Sequence, residues 1–222
     1  MCIAQKVQAL TSSLPDRVTL VAVSKFHPVE SIREAYDAGQ RVFGESRVQE
    51  LKAKQPALPD DIEWHFIGTL QRNKVKDIAP FIHTIHSLDS IKLLEEVHKQ
   101  AAKHERVIRL LLEIHVAQEE TKQGLTPEEC MELLAHWKQG EYPFIRITGI
   151  MGMATDTEDE TLIRKEFRTL HQVFCDIKQQ FFKDDDSFQE ISMGMSHDYP
   201  IAVEEGSTLI RVGTFIFGQR KY

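Results

Sequence analysis

Short apolar runs alternate along the chain with longer stretches in which apolar residues recur every three or four positions. The first run, residues 18–23, is continuous and rich in β-branched side chains, which is typical of a strand buried on both faces. After Pro28 the apolar residues follow at helical spacing until Gly39, which ends that helix. Eight strands are predicted in this way, over residues 18–23, 41–44, 62–67, 81–86, 107–116, 144–149, 188–192 and 209–212.

Helical patterns follow these strands. The helix after the fifth predicted strand has a clear start signal. Thr126 suits its N-cap, Pro127 suits its first position, and the Glu129 side chain can accept a hydrogen bond from the backbone of the cap residue. A basic helix is predicted over residues 71–78, and a short segment over about 197–205 lies between the last two strands. The longest helix has an apolar face that consists of Ile163, Phe167, Leu170, Phe174, Ile177 and Phe181.

The order of these elements predicts the fold class. Strand and helix alternate eight times without a hairpin signal between strands, which favours a parallel sheet with helices outside it. Eight such units close into a (β/α)8 TIM-type barrel, whose site is built by the loops after the strand C-termini. We therefore predict an α/β protein in which residues 1–222 form a single barrel domain. A doubly wound open sheet is the alternative.

Composition and charge narrow the functional classes. The chain has 222 residues, of which 41% are hydrophobic and 27% charged, and its formal net charge is −7. An acidic balance argues against a general surface for nucleic acid or anionic membranes. No apolar run approaches the length of a membrane span, and no secretory signal is evident at the N-terminus. Three widely spaced cysteines indicate free thiols, so we expect the cytoplasm.

Lys25 directly follows the first predicted strand. In a parallel barrel this position lies at the rim of the active site, where a partly desolvated lysine can become a nucleophilic amine able to form a Schiff base. A solvated lysine at a strand end is the alternative interpretation of Lys25 alone.

Two loops rich in small residues follow the seventh and eighth strands, over residues 192–198 and 211–214. Hydroxyls and exposed backbone N–H groups at this position of a barrel are typical of a phosphate-binding site. Ser196 is also placed to cap the short helix that follows it. Each loop alone is equally well an ordinary glycine and serine turn.

The third strand and its loop supply another candidate. Alternation sends His65 and Ile67 to one face of the strand and Trp64 and Phe66 to the other. Asn73 follows near the rim, and we include it among the candidate site residues on position alone.

We reject two further classes of site. His83 and His86 are three apart on a predicted strand and therefore point to opposite faces, so this pair does not chelate one metal ion. No Gly-x-Ser-x-Gly elbow of a hydrolase is present in the sequence. The prediction is a site without metal.

Several motifs in this order make the sequence resemble the pyridoxal-phosphate homeostasis protein family, also described as alanine-racemase N-terminal-domain-like. The resemblance covers nearly the whole chain. Its motifs lie at residues 22–25 (Ala-Val-Ser-Lys), 43–50, 64–74, 86–89 (His-Ser-Leu-Asp), 192–198, 206–208, 211–214 (Arg-Val-Gly-Thr) and 217–218.

The resemblance implies a fold-type III barrel with an extra N-terminal helix and with pyridoxal 5′-phosphate (PLP) held as an imine on Lys25. It further implies that Arg211 faces the pyridine nitrogen and, more weakly, that Lys122 is an accessory contact. Relatives usually carry asparagine where Ser46 stands, which puts a side-chain contact from that position in doubt. The phosphate is expected on Ser196, Gly213 and Thr214.

The expected function is the binding and buffering or delivery of PLP, with apo PLP-dependent enzymes as partners and without robust turnover. A cation beside the ring nitrogen discourages its protonation, and an unprotonated pyridine is a poor electron sink. We expect a monomer. A fold-type III amino-acid racemase is the alternative, but such enzymes continue into a second domain, and we expect none because the chain stops at Tyr222. A pure interaction scaffold is a third interpretation.

Overall fold

The eight predicted strands form a closed parallel barrel in a computed structural model that describes residues 1–119 and 123–219. Each strand pairs with the next one in the sequence, and β8 closes the barrel against β1. The (β/α)8 prediction is therefore confirmed, and the open-sheet alternative is wrong. The strands are β1 Thr19–Val23, β2 Val42–Glu45, β3 Glu63–Phe66, β4 Thr84–Leu88, β5 Ile108–Glu113, β6 Ile145–Met151, β7 Glu190–Ser192 and β8 Leu209–Val212.

Helices surround the barrel, and one additional helix precedes β1, as expected. The helices are α1 Ile3–Ser13, α2 Val29–Asp37, α3 Val48–Lys54, α4 Val75–Ile78, α5 Ile91–Lys103, α6 Pro127–Gln139, α7 Glu160–Phe181, α8 Tyr199–Glu204 and α9 Thr214–Phe217. Short 3-10 turns lie at Gln55–Ala57 and Arg72–Lys74. Within the described ranges, no helix is both long enough and apolar enough to cross a bilayer.

Local signals explain where several helices begin and what they bury. The Thr126 hydroxyl accepts the Glu129 N–H at 3.2 Å, and the Glu129 carboxylate accepts the Thr126 N–H at 2.9 Å, so the predicted capping box is confirmed. On α7, Ile163, Phe167, Leu170, Phe174 and Ile177 are buried, as the apolar periodicity predicts.

Side chains on each strand alternate between the helices and the barrel interior. On β1, Leu20 and Ala22 join the large apolar core between barrel and helices. Val21 points the other way and packs with Leu111, Met151 and Leu209 in a small separate cluster inside the barrel. This apolar cluster lies between a polar cavity at the N-terminal end of the strands and a pocket at their C-terminal end.

Several predicted bounds differ from the observed ones, and the fourth strand and the basic helix differ most clearly. The sequence predicts the fourth strand over residues 81–86, whereas β4 runs from Thr84 to Leu88. The Ile82 N–H donates to the carbonyl oxygen of Ile78 at 2.8 Å, so this part of the chain continues the preceding turn. The predicted basic helix over 71–78 is a 3-10 turn followed by the single turn of α4.

Candidate functional site

A pocket of about 390 Å³ opens at the C-terminal end of the barrel strands. Four apolar side chains, Val23, Ile67, Met153 and Met195, line it together with polar residues. The other lining residues are the glycine Gly213 and the polar residues Lys25, Ser46, Asp156, Ser196, His197, Arg211 and Thr214. Five of the six residues predicted to bind the cofactor are among them. A concave pocket with a few convergent polar groups is typical of a small-molecule site.

Lys25 reaches this pocket because it lies two residues beyond β1. Alternation turns Thr19 and Val21 to the barrel interior and Val23 to the pocket. Lys25 continues this order at the mouth, where it is half-buried. The predicted rim position of Lys25 is therefore what the structure has.

A buried ionic network lies beneath the segment that carries Lys25. The Lys54 ammonium donates to Glu45 Oε1 at 2.7 Å, to Glu50 Oε2 at 3.0 Å and to the carbonyl oxygen of Ser24 at 2.9 Å. The Ser24 hydroxyl also donates to Glu45, at 2.7 Å. Burial raises the pKa of the Glu45 carboxyl, and Lys54 opposes that rise. The network fixes the backbone immediately before Lys25.

The residue after Lys25 has an unusual backbone. Phe26 has φ of 66°, in the left-handed region that non-glycine residues rarely adopt. Its N–H donates to Glu50 Oε2 at 2.7 Å, and the Arg47 guanidinium lies 4.5 Å from the centre of its ring. Next in sequence, His27 stacks on Phe217 of α9 at 5.2 Å. The turn that presents Lys25 is thus held from both α3 and α9.

The predicted phosphate-binding residues come together at the ends of β7 and β8. The Ser196 hydroxyl accepts the Gly213 N–H at 3.3 Å, and Thr214 begins α9. A Cβ on Gly213 would lie 2.8 Å from the carbonyl oxygen of Val23, so glycine is also needed for close packing against β1. The predicted capping role of Ser196 is wrong, since α8 begins at Tyr199 with Asp198 as its N-cap.

Arg211 is a buried cation in the pocket wall. Its Nη1 donates to the carbonyl oxygen of Ser192 at 2.8 Å and to the Ser192 hydroxyl at 2.6 Å, and its Nη2 donates to the carbonyl oxygen of Gly152 at 3.0 Å. Burial lowers the pKa of Arg211 to about 10, while Asp198 and Glu113 oppose that change. The guanidinium therefore stays positively charged at neutral pH.

A chain of hydrogen bonds continues from Arg211 into the barrel. His86 Nδ1 lies 2.9 Å from the Ser192 hydroxyl, and His86 Nε2 lies 2.8 Å from His65 Nδ1. Burial lowers the pKa of His65 to about 3 and the pKa of His86 well below its ordinary value. Both imidazoles are therefore neutral at physiological pH, and they connect the two ends of the barrel interior.

Glu113, at the end of β5, is a further titratable group near the pocket. Burial raises its pKa to about 7, the negative charge of Asp89 adds to the rise, and Arg211 opposes it. Neither Glu113 nor the Lys54 network was singled out as a site from the sequence. A carboxylate that ends a short apolar strand, as Glu45 and Glu113 both do, is the signal that could have pointed to them.

Three further residues that the sequence analysis named as candidate contacts differ in their position relative to the pocket. Asn73 lies exposed on the 3-10 turn after β3 and is not among the residues that line the pocket, so its contact with a cofactor stays a prediction. Ser46, the departure from the family pattern, does line the pocket. Lys122 lies outside the described residues.

Known proteins resemble this chain in sequence and in structure. Residues 2–221 match the family described as alanine racemase, N-terminal domain. A pyridoxal phosphate homeostasis protein of Aquifex aeolicus is 42% identical over 204 residues, which cover 91% of this chain and 87% of that protein. PipY of Synechococcus elongatus PCC7942, solved with PLP bound, is 39% identical and superposes with a TM-score of 0.89 over 97% of this chain and all of the other (100%).

More distant structures share the fold alone. Alanine racemase from E. faecalis is 16% identical, with a TM-score of 0.74 over 98% of this chain and 57% of the racemase. The barrel is therefore common to proteins that differ in function, and function must be argued from the site.

Proposed function

The chain belongs to the pyridoxal phosphate homeostasis protein family, and from that premise we propose that it binds PLP covalently through the amine of Lys25 and buffers or delivers it. The observation that carries the proposal is the presence of Lys25, Ser196, Arg211, Gly213 and Thr214 around one pocket. When bound, PLP supplies an aldehyde that reacts reversibly with amines.

The donor set fits this cofactor. Lys25 offers a primary amine at the mouth, and the Ser196 and Thr214 hydroxyls lie in the loops after β7 and β8, where barrels commonly hold phosphate. The Gly213 backbone passes close to β1, so no side chain blocks this corner. A pocket of about 390 Å³ lies within the ordinary range for a ligand of this size.

Arg211 supports a role without turnover. Its guanidinium is held in place by oxygens of Ser192 and Gly152 and keeps its charge at neutral pH. We propose that this charge faces the pyridine nitrogen and disfavours protonation there. The ring then withdraws electrons weakly, and carbanion chemistry on an amino acid is disfavoured.

Covalent binding is tested by the visible absorption spectrum of the purified protein, followed by borohydride reduction and peptide mass analysis. We expect a reducible band in the wild type and its loss in Lys25→Ala. Lys76→Ala, which removes an exposed lysine of α4, is the matched control and keeps the band. An adduct that maps to another lysine would show that the assignment of Lys25 is wrong.

Delivery is tested by mixing the loaded protein with an apo PLP-dependent enzyme and following the recovery of that enzyme's activity. We expect recovery with the wild type and a much smaller one with Lys25→Ala. Racemisation of a free amino acid with multiple turnovers, near about 1 per second or faster, would favour the racemase alternative instead.

We also propose a monomer in the cytoplasm. Cys2 and Cys175 are exposed and Cys130 is buried, and all three are free thiols, which suits a reducing compartment. Light scattering on the purified protein measures the mass directly, and a dimer mass would contradict the first part of this proposal.

A further inference from the structure

The end of the barrel opposite the pocket is hollow and polar. A cavity of about 130 Å³ lies there, with the side chains of Glu63, His65, His83, Arg109 and Glu190 in its wall. Barrel interiors are usually filled at this level by bulky branched apolar residues. The polar lining therefore calls for an explanation that barrel packing does not provide.

Three of these side chains have the chemistry and spacing of metal ligands. Glu63, His65 and His83 each offer one ligand atom, and these atoms all lie within 4.8 Å of one another. Glu63 Oε2 and His83 Nε2 are 3.5 Å apart. Ligands at about 2.0–2.2 Å from a tetrahedral zinc ion lie about 3.3–3.6 Å from each other, so one distance already fits.

The remaining distances can close by side-chain movement. The Glu63 side chain is 49% exposed and the His83 side chain 29% exposed, so both have room to move, whereas buried His65 is fixed. The ligand atoms lie within 4.8 Å of one another, so movements of up to about 1.5 Å by Glu63 and His83 suffice to reach the spacing of zinc ligands.

A second, independent observation points to a ligand at His65. This residue is 4% exposed, and its Nε2 atom is buried without a hydrogen-bond partner in the described part of the chain. Its other nitrogen, Nδ1, faces His86 Nε2 at 2.8 Å. When Nδ1 donates to His86, Nε2 carries the lone pair that a metal ion requires, and such outer contacts commonly orient metal-binding histidines.

His83 is oriented in the same way. Its Nδ1 lies 2.9 Å from the Thr84 hydroxyl and can donate to it, which leaves the lone pair on the Nε2 atom beside Glu63. On sequence alone, His83 and His86 were rejected as a pair of ligands for one metal ion. The structure agrees for this pair, because His86 contacts His65 and does not face the same point as His83. That argument does not apply to His65 and His83, which come from neighbouring strands.

The charges around the cavity are mixed. Arg109 opposes a cation, and Glu63 and Glu190 favour one, although Glu190 also accepts a hydrogen bond from Thr208 at 2.8 Å. Two carboxylates offset one guanidinium. Two imidazoles and a carboxylate are a ligand set that zinc adopts with water in the fourth position.

We propose that Glu63, His65 and His83 form a binding site for a divalent ion of the zinc type at the N-terminal end of the barrel. The site is separate from the pocket at the other end and does not depend on the proposed PLP function.

The test is isothermal titration of the full chain, stripped with a chelator, with Zn²⁺ and with Co²⁺, whose visible absorption reports tetrahedral coordination. We expect one ion per chain and a loss of affinity of about tenfold or more in His83→Ala and in Glu63→Gln. His136→Ala is the matched control, because His136 forms an equivalent pair with Glu95, at 3.4 Å, on the protein surface. This variant should bind as the wild type does.

Three results would overturn the proposal: no binding of either ion at micromolar concentration, affinity unchanged in both cavity variants, or affinity lost in the His136→Ala control. Circular dichroism of each variant shows whether it is folded. If His83→Ala fails to fold, Glu63→Gln, at a half-exposed position, decides the question.

Discussion

Two lysines of helix α3, two residues apart, offer a direct comparison of a buried and an exposed ion pair. The Lys54 side chain is 9% exposed and pairs with Glu45, which is fully buried, whereas Lys52 is 51% exposed and pairs with Asp77 at 3.0 Å. We expect Lys54→Met to lower the free energy of unfolding by about 3–5 kcal/mol, because it leaves an uncompensated carboxylate in the interior. Lys52→Met should cost about 0–1 kcal/mol.

The loss in Lys54→Met depends on pH. Burial already raises the pKa of Glu45, and Lys54 is the main opposing influence, so the variant raises this pKa further. Between the pKa of Glu45 in the unfolded chain and its higher pKa in the folded variant, Glu45 stays protonated only in the folded state. The free energy of unfolding of the variant therefore falls as pH rises through this interval. The stability that Lys54→Met loses relative to the wild type should therefore be larger at about pH 8 than at about pH 5.

Urea denaturation followed by tryptophan fluorescence, at both pH values, measures these differences. Glu45→Gln in the Lys54→Met background removes the buried charge and should restore part of the lost stability. Equal losses in Lys54→Met and Lys52→Met, or a loss in Lys54→Met that is larger at low pH, would refute the reasoning.

Three further predictions concern stability and ligand choice. The raised pKa of Glu113 stabilises the folded protein at low pH by about 1.4 kcal/mol per pKa unit, and this stabilisation is lost as pH rises to about 7. In Glu113→Gln the free energy of unfolding should therefore fall less over this pH range, and the same pH dependence in variant and wild type, measured by urea denaturation, would contradict the prediction. Gly149→Ala should lower the free energy of unfolding by about 1–3 kcal/mol, because the added Cβ would clash with the backbone of β7. In Gly140→Ala the added Cβ would contact only the side-chain ring of Tyr142, which can move, so urea denaturation should show a smaller loss. Gly213→Val should weaken PLP binding far more than pyridoxal binding, and equal losses in titrations of the two ligands would place phosphate elsewhere.

The fold was predictable from the sequence because eight short strand-like runs alternate with helical patterns, an order that favours a parallel sheet covered by helices. The error at β4 has a physical origin. Its five residues, Thr84–Leu88, are all buried, yet they include Thr84, His86 and Ser87, so the more apolar residues just before them drew the predicted strand too far toward the N-terminus. His86 is tolerated inside because its two ring nitrogens contact His65 and Ser192.

The pocket was predictable where one chain segment carries its polar groups. Lys25 and the loops after β7 and β8, which local sequence and motif singled out, do line one pocket, and their contacts with a cofactor stay a prediction. The contacts between Lys54 and Glu45, and those among His65, His83 and Glu63, were not found, because each joins side chains from different elements. Only the closed barrel brings these groups together.

The pairing of β1 with β8 has a consequence for the timing of synthesis. Val21 stands beside Arg211 in this seam, so the pocket combines residues made near the beginning of translation with residues made near its end. At a translation rate of about 5–20 residues per second, Gly213 and Thr214 are synthesised roughly 10–40 s after Lys25. A growing or prematurely ended chain therefore contains Lys25 without the two loops that complete its pocket, and a complete pocket means that the barrel has closed.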